Sequence, residues 1–436
     1  MQFEQYPSYK NSGVEWLGDV PEHWQVKPNK YVFKIQKRIA GTLGFNVLSI
    51  TQKGLKIKDI ESNAGQMAQD YSKYQIVNIG DFAMNHMDLL TGWIDIAKVK
   101  GVTSPDYRVF EVRNKKVNKE YFLHLFQLGY RNKILFAFGQ GAAQMGRWRL
   151  QSETFNTLKM PFPSIEEQEK IVAFLDTETT RIDNLIAKQE KLIELLEEQR
   201  KSIISHAVTK GLNPNAPMKD SGVEWLGEVP NDWNFSRLDA VSKIVRGNSA
   251  FSKMDLLESG KYVALQYGKT YKVNEINESF GSYVNQEFFK KSQITEFGDI
   301  ILISTSETLE DLGHSCFYAR HDVGLIGGEQ FLLKPKNQNF GKYIYYATKA
   351  FSSYLQRYAT GLKVFRFNLD DLKKIYIPDI SLVEQQKIAE FLDKETARID
   401  ISVLKQKSLI EKLKEYRASI ISHAVTGKID VREFGA

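Results

Sequence analysis

The amino-acid sequence predicts an α+β fold: two compact α/β domains separated by two long antiparallel coiled-coil helices with pseudo-two-fold symmetry. Three observations lead there. The chain repeats itself, in the order A–X–B–A–Y–B. The B segments carry apolar residues at every third and fourth position, as an amphipathic helix does. The X and Y segments mix strand and helix signals, and resemble each other far less than the A and B segments do.

The repeat decides the architecture, so it is established first. Residues 10–24 (KNSGVEWLGDVPEHW) return as residues 219–233 (KDSGVEWLGEVPNDW), with 11 identities in 15 positions. Residues 168–209 return without a gap as residues 385–426, with 27 identities in 42. One frame has been duplicated and its two inserts have diverged. Functionally, that describes two different recognition surfaces held at a fixed distance.

Taken in chain order, residues 1–163 form a first head. NVLSI (46–50) reads as a strand and EYFLHLFQLGYRNKILFAF (120–138) as a helix. A glycine-containing loop (GQGAAQMG, 139–146), a basic strand (RWRL, 147–150) and a short turn (LKMPFP) close it. Residues 164–210 form the first helical spacer. Its entry follows Pro161 and Pro163, with Ser164 and Glu167 as a capping box. A short helix over 165–176 is expected, then a break near Thr177–Thr180, then a long helix over 180–208 spanning roughly 43 Å. Its apolar stripe includes Ile182, Leu185, Ile186, Leu192, Ile193, Leu196, Ile203, Ile204 and Ala207, and Gly211 and Pro214 end it.

Residues 211–380 form the second head, entered through the linker GLNPNAPMKDSG (211–222). GDIILIST (298–305) and QFLLKP (330–335) read as strands, and KYIYYATKAFSSYLQRYA (342–359) as a helix. This head closes like the first, with TGL (360–362), FRFNL (365–369) and the turn LKKIYIP. Residues 381–436 form the second spacer, with the stripe Ile399, Val403, Leu409, Ile410, Leu413, Ile420, Ile421 and Ala424, ended by Gly427. Gln189 and Gln406 fall on the two seams, where a polar residue fixes register at a cost in stability. So narrow a stripe needs a partner helix. The other copy is present at a one-to-one ratio, and self-pairing of a duplicated unit predicts antiparallel helices; pairing between chains, as a dimerisation device, is the alternative.

Composition bounds the function. With 42% apolar and 26% charged residues among 436, the chain is that of an ordinary folded protein of several domains. The single cysteine, Cys316, excludes an internal disulfide and a cysteine zinc site, and points to a reducing, cytoplasmic setting. The first residues have no signal-peptide core, and no apolar run reaches the ~20 residues of a membrane helix. Residues 1–163 carry a net charge of +8, residues 164–210 −3, residues 211–380 zero and residues 381–436 +1. The first head is therefore basic enough for a polyanion partner.

Catalytic signatures are missing. There is no phosphate-binding P-loop and no glycine-rich dinucleotide fingerprint. SPDY (104–107) lacks the second proline of the SPPY-type motif of amino-methyltransferases, and PDYRVFEVR (105–113) spaces its acids too closely for a nuclease. The seven histidines form no metal-ligand pattern, and His206 and His423 are equivalent within the repeated ISHAVT. No metal site and no catalytic residue are expected.

The repeated motifs SGVEWLG-x-VP-x-x-W, EQ-x-KI-x-x-FLD-x-ET-x-RID and RxSIISHAVT, with the joint GLNPNAPMKDSGVEWLGEVP, resemble the specificity subunit of type I restriction–modification systems. They cover about 130 residues along the whole length. The resemblance implies that X and Y are target recognition domains and the B helices a conserved spacer. It implies a bipartite, asymmetric double-stranded DNA target with a nonspecific gap. Its partners would be two N6-adenine methyltransferase subunits and the ATP-dependent endonuclease/translocase subunits. S-adenosylmethionine, ATP and Mg2+ would belong to those partners, with no cofactor in this chain and no catalysis of its own. Two other readings stay open: a two-headed protein-binding scaffold without DNA readout, and a self-contained DNA-modifying enzyme.

Base contacts favour Arg, Lys, Asn and Gln, and phosphates attract Lys, Arg and small polar groups. In the first head the candidates are Gln140, Gln144, Arg147 and Arg149, where glycines 139, 141 and 146 let a backbone approach, then Gln52, Lys53 and Arg108. In the second they are Arg357, Lys363 and Arg366, with Gln266, Lys269, Ser304, Thr305 and Ser306 after apolar strands. Glu178, Arg181 and Asp183 recur as Glu395, Arg398 and Asp400, and are candidates for binding two identical partners.

Overall fold

The structure is a computed structural model, and it describes residues 3–59, 70–113, 116–141, 148–337 and 341–434. Four helices organise it: α1 (Lys119–Arg131), α2 (Ile165–Lys210), α3 (Gly341–Leu355) and α4 (Leu382–Val425). The chain divides into two compact units, Met1–Lys188 with Ser408–Ala436, and Gln189–Lys407. Each unit holds one head, one A element, the first part of one long helix and the last part of the other.

The first head is built on a four-stranded antiparallel sheet in the order Phe33–Gln36, Arg108–Val112, Phe82–Met84, Ile94–Ile96. Helix α1 presents Tyr121, Phe122, Leu125 and Phe126 at helical spacing, all buried. Its N-terminus is capped by Asn118, whose side chain accepts from the Tyr121 N–H. Phe33, Phe82, Phe110 and Phe126 pack ring to ring, with Phe82 and Phe110 stacked 5.0 Å apart. The single helix expected over 120–138 is interrupted at Asn132–Lys133, where Lys133 takes a left-handed φ of 55°, and resumes over Ile134–Ala137.

The second head is larger in sheet. A five-stranded sheet runs Ser242–Arg246, Gln330–Pro335, Ile300–Ile303, Ser315–Tyr318, Glu275–Ile276. A four-stranded sheet runs Tyr283–Val284, Tyr262–Leu265, Gly324–Ile326, Ile294–Thr295. Ile300–Ile303 is buried on both faces, as the continuous apolar run IILI requires. Helix α3 buries Tyr343, Ile344, Ala347, Phe351 and Leu355 in one core with Ile300, Leu302, Phe331 and Leu333.

LKMPFP and LKKIYIP are strands and not turns. Lys159–Phe162 pairs antiparallel with Gln25–Pro28, and Tyr376–Asp379 with Asn234–Arg237. The prolines fit because each ribbon has only two strands and therefore free edges.

The long helices are continuous over 46 and 44 residues, so the break expected at Thr177–Thr180 is absent. Thr177 donates its hydroxyl to the Ala173 carbonyl at 2.9 Å, and in the equivalent stretch of the second copy Thr396 donates to Leu392 at 2.7 Å. Back-bonding of this kind satisfies the hydroxyl without interrupting the helix.

The same contacts recur in each unit. Trp24 donates its indole N–H to Glu167 Oε1 at 2.9 Å, and Trp233 donates to Glu384 Oε1 at 3.1 Å. Gln168 returns to the Pro163 carbonyl at 2.9 Å and Gln385 to the Ile380 carbonyl at 2.8 Å. The Glu-Gln pair of the B motif thus receives the tryptophan of the A motif and closes the helix entry. The glycine ending each long helix lies against the tryptophan of its own unit. A Cβ on Gly427 would stand 3.0 Å from Trp24, and one on Gly211 would stand 3.1 Å from Trp233. In the first unit Ile171 and Leu175 of α2 share a core with Ile421, Ala424 and Val425 of α4, and Arg417 bridges to Asp183 at 2.9 Å. In the second, Ile204, Ala207 and Val208 of α2 share a core with Ile388 and Leu392 of α4, and Arg200 bridges to Asp400. Within each unit the two helical segments therefore run in opposite directions.

Candidate nucleic-acid interface

In the first head, Gln140 and Arg149 meet. Each backbone N–H donates to the other's carbonyl, at 2.8 and 3.0 Å, and both residues are exposed. They form the stem of the loop between them. Gln144, Arg147 and Gly146 lie in that loop, outside the described residues. Gln52 and Lys53 occupy the exposed tip of the hairpin joining Leu48–Thr51 to Gly54–Ile57, and Gln52 donates to the Thr91 carbonyl at 3.3 Å.

Arg108 stands elsewhere. It is 4% exposed, donates to the Leu150 carbonyl at 2.9 Å, and lies 4.9 Å from the centre of the Phe155 ring. Burial pushes its guanidinium down to about 10. Its Nη2 fastens Leu150, and a side chain this buried does not belong to an exposed interface. Near it, burial and the positive charges of Arg108 and Arg149 push His86 down to about 3. His86 is neutral at physiological pH, beside two arginines.

In the second head, Thr360 and Arg366 repeat the stem arrangement, each N–H donating to the other's carbonyl at 2.9 Å. Lys363 and Arg366 are exposed. Ser304, Thr305 and Ser306 are not: they are 7%, 8% and 3% exposed. Thr305 and Ser306 pair with Arg366 and Phe365 as strand partners, and Ser304 accepts from Phe367 N–H at 3.3 Å. These hydroxyl residues hold Arg366 in place and do not themselves face solvent. Arg357 is engaged as well. It pairs with Glu224 of the SGVEWLG motif and lies 5.1 Å from the Tyr354 ring centre. Gln266 is half-buried at the start of the turn Tyr267–Thr270, and Lys269 is exposed on it.

Sequence reasoning missed two features here. Arg246, at the end of its strand, joins Thr305, Glu329, Thr360, Arg366 and Asn368 around a cavity of about 320 Å3. Tyr267 stacks on Tyr271 with centroids 5.6 Å apart. An arginine directly before Gly247 and tyrosines four apart were the available signals.

The repeated helix charges have local partners. Arg181 binds the buried Glu178 at 2.7 Å, and Arg398 approaches Glu395 at 3.9 Å. Asp183 and Asp400 are taken by Arg417 and Arg200. Repeat-equivalent acids thus meet repeat-equivalent arginines. Of the six, Arg398 is the most exposed, at 79% of its side chain. Among the described residues, no group of three or more His, Cys, Asp or Glu could hold a metal ion. No described helix is long and apolar enough to cross a membrane.

Two unlike heads, each ending in a stem that exposes an arginine, on a frame that repeats contact by contact, define an internally duplicated two-headed α+β protein. Residues 21–197 and 230–412 match the family described as Type I restriction modification DNA specificity domain. The MjaVIII specificity subunit, a type I restriction enzyme subunit of Methanocaldococcus jannaschii, is 24% identical over 95% of this chain and 94% of its own length. Two solved structures share the fold at 15% identity each. The HsdS subunit from Thermoanaerobacter tengcongensis covers 96% of this chain and all of its own, with a TM-score of 0.56. A chain solved for the "complex assembly and conformational transition of the type I R-M system" covers 93% of this chain and 98% of its own, with a TM-score of 0.68. The chain belongs to the type I restriction–modification specificity subunit family.

Proposed function

We propose that the chain reads a bipartite, asymmetric double-stranded DNA sequence with a nonspecific gap. Each head, residues 1–163 and 211–380, takes one half-site. The spacers, residues 164–210 and 381–436, pair as an antiparallel, pseudo-two-fold frame that positions two N6-adenine methyltransferase subunits and the endonuclease/translocase subunits. S-adenosylmethionine, ATP and Mg2+ act on those partners, and this chain performs no catalysis.

One observation carries the reading: the frame repeats contact by contact while the heads diverge in sequence over a common sheet order. Trp24 on Glu167 matches Trp233 on Glu384, and the order Phe33–Gln36, Arg108–Val112, Phe82–Met84, Ile94–Ile96 recurs as Ser242–Arg246, Gln330–Pro335, Ile300–Ile303, Ser315–Tyr318, with Glu275–Ile276 added in the second head. Unlike heads suit unlike half-sites, and like frames suit two copies of one partner. Gln140 and Arg149 in the first head, and Lys363 and Arg366 in the second, are the exposed groups nearest the stems. Arginine and glutamine are side chains that read base edges by paired hydrogen bonds.

The test is to co-express the chain with its methyltransferase and map N6-methyladenine across the host genome. A single two-part, non-palindromic motif with a constant gap is expected. A palindromic motif would mean that one head is silent and two chains pair. A stable complex without methylation would favour a protein-binding scaffold. Inserting one heptad into a spacer helix lengthens it by about 10 Å and widens the gap by about three base pairs. An unchanged gap would sink the spacer.

A further inference from the structure

Two side chains of the second head stand almost wholly in solvent, Leu362 at 98% and Met254 at 96%. Single exposed apolar residues are common on protein surfaces and need no explanation by themselves. Leu362 differs in how it is held. It is the second residue of a loop whose stem is closed by Thr360 and Arg366. Gly361 before it has φ +115°, and a Cβ there would stand 2.0 Å from the Val364 carbonyl oxygen. Only glycine allows so tight a return, so the turn that lifts Leu362 clear of the head is specifically built. Lys363 follows it, exposed, and Arg366, also exposed, ends the stem and lines the cavity that Arg246 also lines.

We propose that Leu362 is an apolar wedge that enters between stacked base pairs of duplex DNA, with Lys363 and Arg366 on the flanking phosphates. This rests on the DNA-reading function above and names the residue that distorts the second half-site. Proteins that kink a duplex insert leucine, phenylalanine or methionine at a base step and hold the backbone with neighbouring cations. Leu362 has that chemistry and no other use in the fold: it is exposed, and its removal opens no core. Met254 has an apolar side chain too, but its turn, Lys253–Asp255, is a single helical turn capped by Ser252 and Asp255, with no arginine and no paired stem beneath it among the described residues.

The test uses the complex of this chain with its methyltransferase on the motif duplex found by methylation mapping. 2-Aminopurine, which pairs with thymine, replaces in turn each adenine of either strand of both half-sites except the methylated adenines. One position in one half-site should brighten on binding of the wild type, reporting an unstacked step. Leu362→Ala should abolish the signal and weaken motif binding by about tenfold, leaving nonspecific binding within about twofold. Leu362→Met should keep the signal, and Met254→Ala should leave it unchanged. Motif-specific binding by the wild type with no brightening, or brightening that survives in Leu362→Ala, overturns the wedge and leaves the DNA reading standing. No motif-specific binding by the wild type overturns the reading itself, and the wedge with it.

Discussion

Glu167 and Glu384 occupy the same place in the repeat but carry different loads, and this predicts unequal effects of one substitution. Glu167 receives three hydrogen bonds: Tyr6 Oη at 2.7 Å, Trp24 Nε1 at 2.9 Å and His23 Nε2 at 2.9 Å. Tyr6 and Trp24 are 4% and 0% exposed. Glu384 receives only Trp233 Nε1 among these, at 3.1 Å. Glu167→Ala strands two buried donors, each costing about 1–3 kcal/mol, and loses a half-exposed third bond worth little. The expected loss is about 4 kcal/mol. Glu384→Ala strands one donor, for about 1.5 kcal/mol. The assay is hydrogen exchange on the full chain, read at two matched hairpins, Tyr9–Asn11 with Asp19–Pro21 and Met218–Asp220 with Glu228–Pro230. Exchange should accelerate at the first hairpin in Glu167→Ala by about 50-fold more than at the second in Glu384→Ala. Equal acceleration in the two variants would refute the reasoning, because the repeat alone would then set the energetics.

Three further predictions follow from other contacts. Asp183→Arg should destabilise the first unit by about 0.5 kcal/mol, since the pair is partly exposed, and adding Arg417→Asp should restore it in a double-mutant cycle of urea midpoints. No coupling would mean the bridge is incidental. His314 is pushed down to about 4, chiefly by burial and then by Lys349, while Nε2 bonds the Val273 carbonyl. Its folded value lies below the unfolded ~6.5, so the unfolded chain binds the proton first. The stability it contributes is present above pH ~6.5 and lost as pH falls toward ~4, by about 1.6 kcal/mol between pH 6.5 and 5. His314→Gln should flatten that slope in urea titrations at the two pH values, and an unchanged slope refutes the assignment. Finally, Arg149→Ala should weaken recognition of one half-site and Arg366→Ala the other, scored as methylation of motif variants, and equal loss at both would indicate damage to folding.

The frame was legible in the sequence because its signals are local and repeated. Periodicity located both long helices, and Gly211 and Gly427 marked their ends. The extra length runs through Thr177 and Thr396, whose hydroxyls bond back to the preceding turn and so do not interrupt the helix that the packing of both ends enforces. The strands at Lys159–Phe162 and Tyr376–Asp379 were missed because their partners lie near the start of each head, far along the chain. The candidate site failed for the same reason wherever a side chain is claimed at long range. Arg108 finds Leu150, and Ser304–Ser306 are buried by a strand that ends in Arg366. The stem residues Gln140, Arg149 and Arg366 and the loop residue Lys363 are exposed.

The helix charges show what a repeat could have revealed. Asp183 and Asp400 were read as binding groups for an outside partner because they recur. A helix pairing antiparallel with its own copy, however, uses every contact twice: a residue that meets a given position in one unit must meet its repeat-equivalent in the other. The test for such a contact is to seek an opposite charge that recurs at the same offset. Arg200 and Arg417 satisfy it, and they are the observed partners, Arg417 for Asp183 and Arg200 for Asp400. Recurrence of a charge in a duplicated helix is therefore weaker evidence for an external partner than recurrence without a matching opposite. Arg181 and Arg398 meet the same test with the recurring Glu178 and Glu395, at 2.7 and 3.9 Å, so the repeat accounts for all six charges within the chain.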